Sequence, residues 1–237
     1  MKPLFLSLIL LYTGLEAEKP LSAILLRPLG EHELVTLTLA ADVPNNQKPA
    51  QVWYRKNPGH VLLILERLDT LSGLQSTLSW GFYPRQPISS VFFRKVKSEL
   101  RDNGGDEFEA KITINLNDSS FQHLQKQSIA LAKRSYHLNR YNCYDYALEV
   151  FNDVIDRPKL LQQTVKFPLP LVMGRGGSPC ALYQHLQALK TDSCWAKAIS
   201  FGPFVAPKSE EKLLNVEQLS SENHLLISKK TKTCTSY

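Results

Sequence analysis

Tyr141-Asn142-Cys143-Tyr144-Asp145-Tyr146-Ala147-Leu148 is the stretch that decides how this chain folds. Tyr144, Ala147, Leu148, Phe151 and Ile155 recur at helical spacing and give the segment one apolar face. Asn142 is a favourable N-cap, and Asp145 three positions later resembles a capping box, so the helix is predicted to open at Cys143. A thiol in the first turn lies at the positive end of the macrodipole, which favours the nucleophilic thiolate. Asp145 works against this, because a carboxylate one turn in offsets part of the dipole. The competing reading is a buried structural cysteine, since free Cys packs as a small hydrophobe.

The elements upstream of that helix read mostly as strands. Leu21 to Arg27 and Glu33 to Ala41 are predicted strands around a Gly30-Glu31-His32 turn. Gly59-His60-Val61-Leu62-Leu63-Ile64-Leu65-Glu66 is a continuous apolar run, the pattern of a strand buried on both faces. Turn chemistry follows at Asp69 to Gly73, and Ser76 to Tyr83 returns as the second arm of a hairpin. A turn near residue 71 sets His60 opposite Phe82 and Tyr83. Ile88 to Val96 and Ala110 to Leu116 are further predicted strands, with Arg101 to Asp106 an exposed turn between them. Asp118-Ser119-Ser120 caps a predicted helix to about Tyr136, with Phe121, Leu124, Ser128 and Leu131 on one stripe. Beyond the Cys143 helix, Gly174 to Gly177 is a flexible loop without the pattern of a phosphate loop. Ser178-Pro179 opens a last helix through about Leu189.

Composition bounds the class. The chain has 237 residues, 43% hydrophobic and 21% charged, values ordinary for a globular protein. The net charge of +6 is scattered, so a nucleic-acid partner is not expected. Residues 1–17 read as a secretory signal: Lys2, then an apolar Leu4 to Tyr12 too short to span a bilayer, then Leu15-Glu16-Ala17. The expected location is secreted or periplasmic, with no integral membrane segment once the signal is removed. The expected domain runs over 18–204, with strands in 21–41 as an optional N-terminal extension. Residues 205–237 read as a polar, partly disordered tail.

The four cysteines are Cys143, Cys180, Cys194 and Cys234. Export permits disulfides, and Cys180 with Cys194 is the expected pair, Cys234 being an alternative partner for either. Cys143 is then free. No CxxC spacing and no His cluster exist, so neither a metal nor another cofactor is expected. A site built from His60, His137 and Cys143 has no supporting ligand spacing.

A cysteine hydrolase needs a thiolate, an imidazole to move protons and a polar group to orient that imidazole. Cys143 and His60 are the best pair, because His60 heads a strand otherwise made of aliphatics. Gly59-His60-Val61, Trp80-Gly81-Phe82-Tyr83-Pro84 and Asn142-Cys143-Tyr144-Asp145-Tyr146-Ala147 together resemble the circularly permuted papain-like (NlpC-like) superfamily over roughly 30–190. There the histidine strand precedes the cysteine helix. The superfamily includes cell-wall peptidases and amidases, toxin effectors and lipid acyltransferases.

The resemblance implies an α+β fold, an antiparallel sheet packed against helices with the cysteine at a helix N-terminus. It also implies Cys143 as nucleophile, His60 as base and a third polar group on the strand after His60. No His, Asn or Gln stands at the facing place. Tyr83 is therefore the expected orienting group, with Ser79 the second choice, and Trp80, Asn142 and Tyr144 are the expected substrate contacts. The function so implied is a cysteine amidohydrolase acting on a cell-wall peptide or another amide or acyl substrate. The alternatives are an acyl-chain hydrolase or acyltransferase with the same site, and a non-catalytic binding protein on the same scaffold.

Overall fold

The computed structural model describes residues 21–55, 57–87, 95–167 and 174–213. The predicted signal at 1–17 lies outside them. Nine strands and four helices make up the described chain. They are α1 (Leu21–Leu26), β1 (Glu33–Asp42), β2 (His60–Asp69), β3 (Leu74–Pro84), β4 (Ser98–Asp102) and β5 (Glu107–Leu116). Then come α2 (Asp118–Ala132), α3 (Cys143–Val154), β6 (Val165–Lys166), β7 (Arg175–Gly176), α4 (Pro179–Leu189), β8 (Ile199–Val205) and β9 (Glu210–Leu213). The fold is α+β, with a seven-stranded sheet ordered β4-β3-β2-β1-β5-β8 and β9 added beside β3. Its described strand pairs are antiparallel.

The aliphatic run in β2 is explained by burial on both faces. Val61, Leu63 and Leu65 join the main core, where α2 contributes Phe121 and Leu124 and α3 contributes Ala147 and Phe151. Leu62 and Ile64 face the other way, into a small cluster with Ala40, Phe108 and Ala206. No polar position interrupts the run because neither face meets water. The register pairs Leu62 with Gly81 and Leu65 with Leu78. Continued by two residues, it sets His60 beside Tyr83, as the position of the turn predicts.

Several elements depart from the sequence expectation. Leu21 to Leu26 is a helix, not a strand, and its neighbours Ile24 and Leu25 are both buried. A half-buried strand would put those two on opposite faces. The fully buried Arg67 holds its end by donating to the carbonyls of Ile24, Arg27 and Pro28, and it pairs with Glu33 at 2.6 Å. Residues 88–94 of the expected strand lie outside the described ones, and β4 takes up residues 98–100 before the expected turn and the first two residues of that turn. The cap of α2 is Asn117, whose side chain accepts from the Ser120 N–H. The stripe Phe121, Leu124, Ser128 and Leu131 is buried as predicted. β1 lies between β2 and β5, so it is integral to the sheet and not an extension. The domain also continues past Phe204, since β9 pairs with the start of β3. Residues 214–237 of the expected tail are outside the described ones.

Candidate functional site

The first turn of α3 is held by a closed set of hydrogen bonds. Asn142 Oδ1 accepts from the N–H groups of Tyr144 at 2.8 Å and Asp145 at 3.4 Å. The Asp145 carboxylate accepts the Asn142 N–H at 2.9 Å, completing a capping box. Asn142 Nδ2 donates to the carbonyls of Leu138 and Gly177. Every polar group of this buried side chain is thus engaged. Asn142 both caps the helix and lines the cavity.

Cys143 follows, buried, with a free thiol. The backbone N–H of Val61, the residue after His60, is near enough to the sulfur to favour its charged form. The thiol and the imidazole line one cavity. Burial pushes the Cys143 thiol up to about 12, and the nearby Asp145 charge adds to this. Desolvation thus outweighs the macrodipole, and the resting thiol is protonated.

His60 opens β2 directly after Gly59. Gly59 has φ +71°, and a Cβ there would collide with the Asp42 carbonyl, so only glycine makes this entry. The imidazole stacks on the Tyr83 ring, centroids 4.3 Å apart and planes 20° apart. Burial pulls its pKa down to about 3, with the Arg101 charge acting in the same direction. His60 is neutral at rest.

The polar surroundings of His60 differ from those expected. Tyr83 presents its ring face to His60, and its hydroxyl accepts from Asn103 Nδ2 at 2.5 Å. Ser79 donates to the Pro207 carbonyl. The polar atom next to the imidazole is Asn103 Oδ1. Both His60 Nε2 and Asn103 Oδ1 are buried without a hydrogen-bond partner. Both reach over the bare Cα of Gly81: a Cβ there would overlap His60 Nε2 and lie 2.5 Å from Asn103 Oδ1. Asn103 Nδ2 also donates to the Asp106 carboxylate at 2.6 Å. A carboxylate only accepts, which fixes the amide with its oxygen toward the histidine. An Nε2–H on His60 leaves Nδ1 as the basic nitrogen.

Sequence reasoning missed Asn103 because it placed the Arg101–Asp106 segment in solvent, whereas Asn103 is 2% exposed. The available signal was Gly81, a glycine inside a strand of bulky residues, which marks a close approach.

A cavity of about 310 Å³ opens beside the pair. Trp53, Phe82, Tyr136, Leu138 and Phe167 supply apolar wall, and Arg101 is its one charged lining residue among the described ones. Trp80 and Tyr144 are not among its lining residues. Trp80 is buried and donates to the Tyr146 hydroxyl at 3.1 Å. The Tyr144 hydroxyl accepts the Gln163 N–H at 2.7 Å. Both support the wall from behind. On the other side of His60 and Tyr83 a hollow of about 430 Å³ is lined by Asp42, Asn57, Asp106 and Glu107. Burial, with the charges of Glu109, Asp106 and Glu107, raises Asp42 to about 7.

Among the described residues no group of three His, Cys, Asp or Glu side chains is arranged to hold a metal. The expected Cys180–Cys194 pair is not formed. Cys180 is a buried free thiol that donates to the Gln51 carbonyl at 2.9 Å. Cys194 has a partner of its own. No described helix is long and apolar enough to cross a membrane. Comparison of the chain with models of protein families, with curated proteins and with solved structures gives no match.

Proposed function

We propose that this chain is an exported cysteine acyl hydrolase of permuted papain-like arrangement, working through an acyl-enzyme on Cys143. The observation that carries the reading is the junction at the end of β2. Cys143 and His60 line one cavity, the Val61 N–H lies near the sulfur, and Asn103 Oδ1 reaches over the same Gly81 Cα as His60 Nε2. His60 takes the thiol proton as the sulfur attacks the substrate carbonyl. The backbone N–H of Cys143 has no intrahelical partner in the first turn and can donate to the oxyanion. The tetrahedral adduct expels an amine or alcohol, which leaves with the proton from His60. Water, deprotonated by His60, then releases the acid. Asn103 keeps the imidazole in the Nε2–H tautomer throughout, as an orienting group does.

With a neutral thiol and a neutral imidazole at rest, the proton moves during attack. No thiolate is stored beforehand.

The resemblance points to a cell-wall peptide as substrate, but the cavity wall favours the second reading, an apolar acyl group. A peptide bearing several amides and carboxylates would leave polar groups unpaired against Trp53, Phe82, Leu138 and Phe167. An apolar chain loses nothing there.

The test is intact-protein mass spectrometry after mixing wild type and Cys143→Ala with a panel of muropeptides, N-acyl amides and acyl esters. The expected result is an acyl adduct on Cys143, formed fastest with the apolar acyl donors. A panel without any adduct, and with wild type and Cys143→Ala indistinguishable, would reduce the site to a binding pocket.

A further inference from the structure

The short chain from Asp102 to Asp106 carries Asn103 and is held both from within and by a distant segment. Two hydrogen bonds close it from inside. The Asp106 N–H donates to the Asn103 carbonyl at 3.0 Å and the Gly104 N–H to Asp102 Oδ1 at 2.8 Å. The rest comes from a distant part of the sequence. The chain between β8 and β9 runs along the outside of this turn. The Ala206 N–H donates to the Asp106 carbonyl and the Gly105 N–H to the Ala206 carbonyl, each at 2.8 Å. Ser209 Oγ donates to Asp102 Oδ1 at 2.9 Å and accepts the Ser79 N–H at 3.1 Å. Pro207 and Lys208 present their carbonyls to the hydroxyls of Ser79 and Thr77. Contact is so close that a Cβ on Gly104 would lie 2.7 Å from the Lys208 Cα.

The strap therefore fixes the backbone of the turn, and Asp106 fixes the side chain within it. Asn103 Nδ2 has two protons, one taken by Asp106 Oδ2 and the other by the Tyr83 hydroxyl. A tyrosine hydroxyl can either donate or accept, so it does not choose which way round the amide sits. The Asp106 carboxylate does choose, because it can only accept. With Asp106 removed, a flipped amide would turn its NH₂ toward His60 and face it with a donor, the wrong partner for an Nε2–H.

We propose that Asp106, held in place by the strap 205–209, is a positioning residue that acts through Asn103 to set the tautomer of His60. This rests on His60 being the base of the reaction proposed above.

The experiment uses the full chain labelled with ¹⁵N-histidine, the His60 signals being assigned by their loss in His60→Gln. Wild type, Asp106→Leu, Asp106→Asn and Ser209→Ala are compared for the His60 tautomer at neutral pH. The rate of Cys143 alkylation across pH and the thermal midpoint are measured alongside. In wild type His60 is the Nε2–H tautomer. In Asp106→Leu that tautomer gives way to a mixture, and alkylation slows about ten-fold. Asp106→Asn restores both, because its amide oxygen still accepts from Nδ2. Ser209→Ala shifts the His60 signals in the same direction by less. A purely structural role would lower the thermal midpoint and leave the tautomer alone.

Wild-type tautomer and alkylation in Asp106→Leu overturn the proposal. Should that variant fail to fold, unchanged His60 signals in folded Ser209→Ala overturn it instead. The tautomer is read without substrate. A wild type that turns over nothing while its tautomer still responds to Asp106→Leu refutes the hydrolase reading, and leaves the Asp106–Asn103–His60 chain standing.

Discussion

The two halves of the site are built to opposite specifications. On the helix side Asn142 has each of its polar groups bonded, inside a closed box with Asp145, Leu138 and Gly177. On the strand side two buried polar atoms, His60 Nε2 and Asn103 Oδ1, reach over the same Gly81 Cα with no hydrogen bond made. Buried polar groups are normally satisfied, and an exception asks for a reason. The helix half is a rigid seat for the sulfur. The strand half leaves bonding capacity unused, which the proposed reaction would call on when the imidazole gains a proton. A substitution on the first side should cost stability before anything else. On the second side it should alter the chemistry with a smaller effect on the fold.

The largest effect is expected from breaking the saturated half. Asn142→Ala removes the cap and strands the N–H groups of Tyr144 and Asp145 together with the carbonyls of Leu138 and Gly177. A simple exposed cap is worth about 1 kcal/mol, and the added buried unpaired groups bring the loss to about 3 kcal/mol. Urea denaturation measures it. A loss no greater than that of an ordinary surface cap would show that the box is not the seat described.

Next in size is Gly81→Ala, which intrudes on the unsaturated half. The new methyl overlaps His60 Nε2 and crowds Asn103 Oδ1, so the ring and the amide must move apart. Overpacking of this kind costs about 2 kcal/mol. The turnover of Cys143 should fall further than that stability loss explains, because the base loses its orienting partner. Equal activity in wild type and Gly81→Ala would mean that the two atoms never meet.

This contrast also explains what could be read from the chain alone. The helix half is local: cap, box and apolar stripe lie within fourteen positions of one another, and α3 was legible from 142 to 155. The hairpin of β2 and β3 was equally legible, since the turn at 69–73 fixes its register. Asn103 was not, because its neighbours on the page are Asp, Gly and Gly, which read as solvent. The strap that holds its turn in place, 205–209, is more than a hundred positions away, in a segment whose polarity reads as a tail. Tyr83 was placed correctly beside His60 by register, but register says nothing about whether a ring stacks or a hydroxyl bonds. Leu21–Leu26 was misread for another reason: six apolar-rich residues carry too little periodicity to separate helix from strand.

The two hollows flanking His60 give a smaller effect that changes sign with pH. His60 has its folded pKa depressed from 6.5 to about 3 by burial. Its contribution is fully present above 6.5 and is lost as pH falls toward 3, where the unfolded state binds the extra proton. Asp42 is raised from 3.8 to about 7, again chiefly by burial. Its contribution is fully present below 3.8 and is lost as pH rises toward 7. Asp42→Asn should therefore stabilise the protein at pH 7.5 by about 1 kcal/mol after allowing for solvent screening, and by nothing at pH 3.5. His60→Gln should show the reverse, stabilising at pH 4 and not at pH 7.5. Thermal melts across that range decide it. The same sign for both variants would mean that the two sides of the ring do not differ as described.

The smallest expected effect separates stacking from hydrogen bonding at Tyr83. Tyr83→Phe keeps the ring that lies 4.3 Å from the imidazole and deletes the oxygen that accepts from Asn103. One Nδ2 proton is then left without its acceptor, while the other stays on Asp106. A lost neutral hydrogen bond of this kind costs about 1 kcal/mol. The amide keeps its orientation, because the carboxylate sets it, and so turnover should fall by no more than about three-fold. Had the hydroxyl itself oriented His60, the same deletion would remove the tautomer control and lower turnover by orders of magnitude. Turnover and urea stability of Tyr83→Phe, set beside those of Asn103→Ala, distinguish the two. A severe loss in Tyr83→Phe with a mild one in Asn103→Ala would return the orienting role to the tyrosine. The order expected from the buried, unpaired Asn103 oxygen is the reverse.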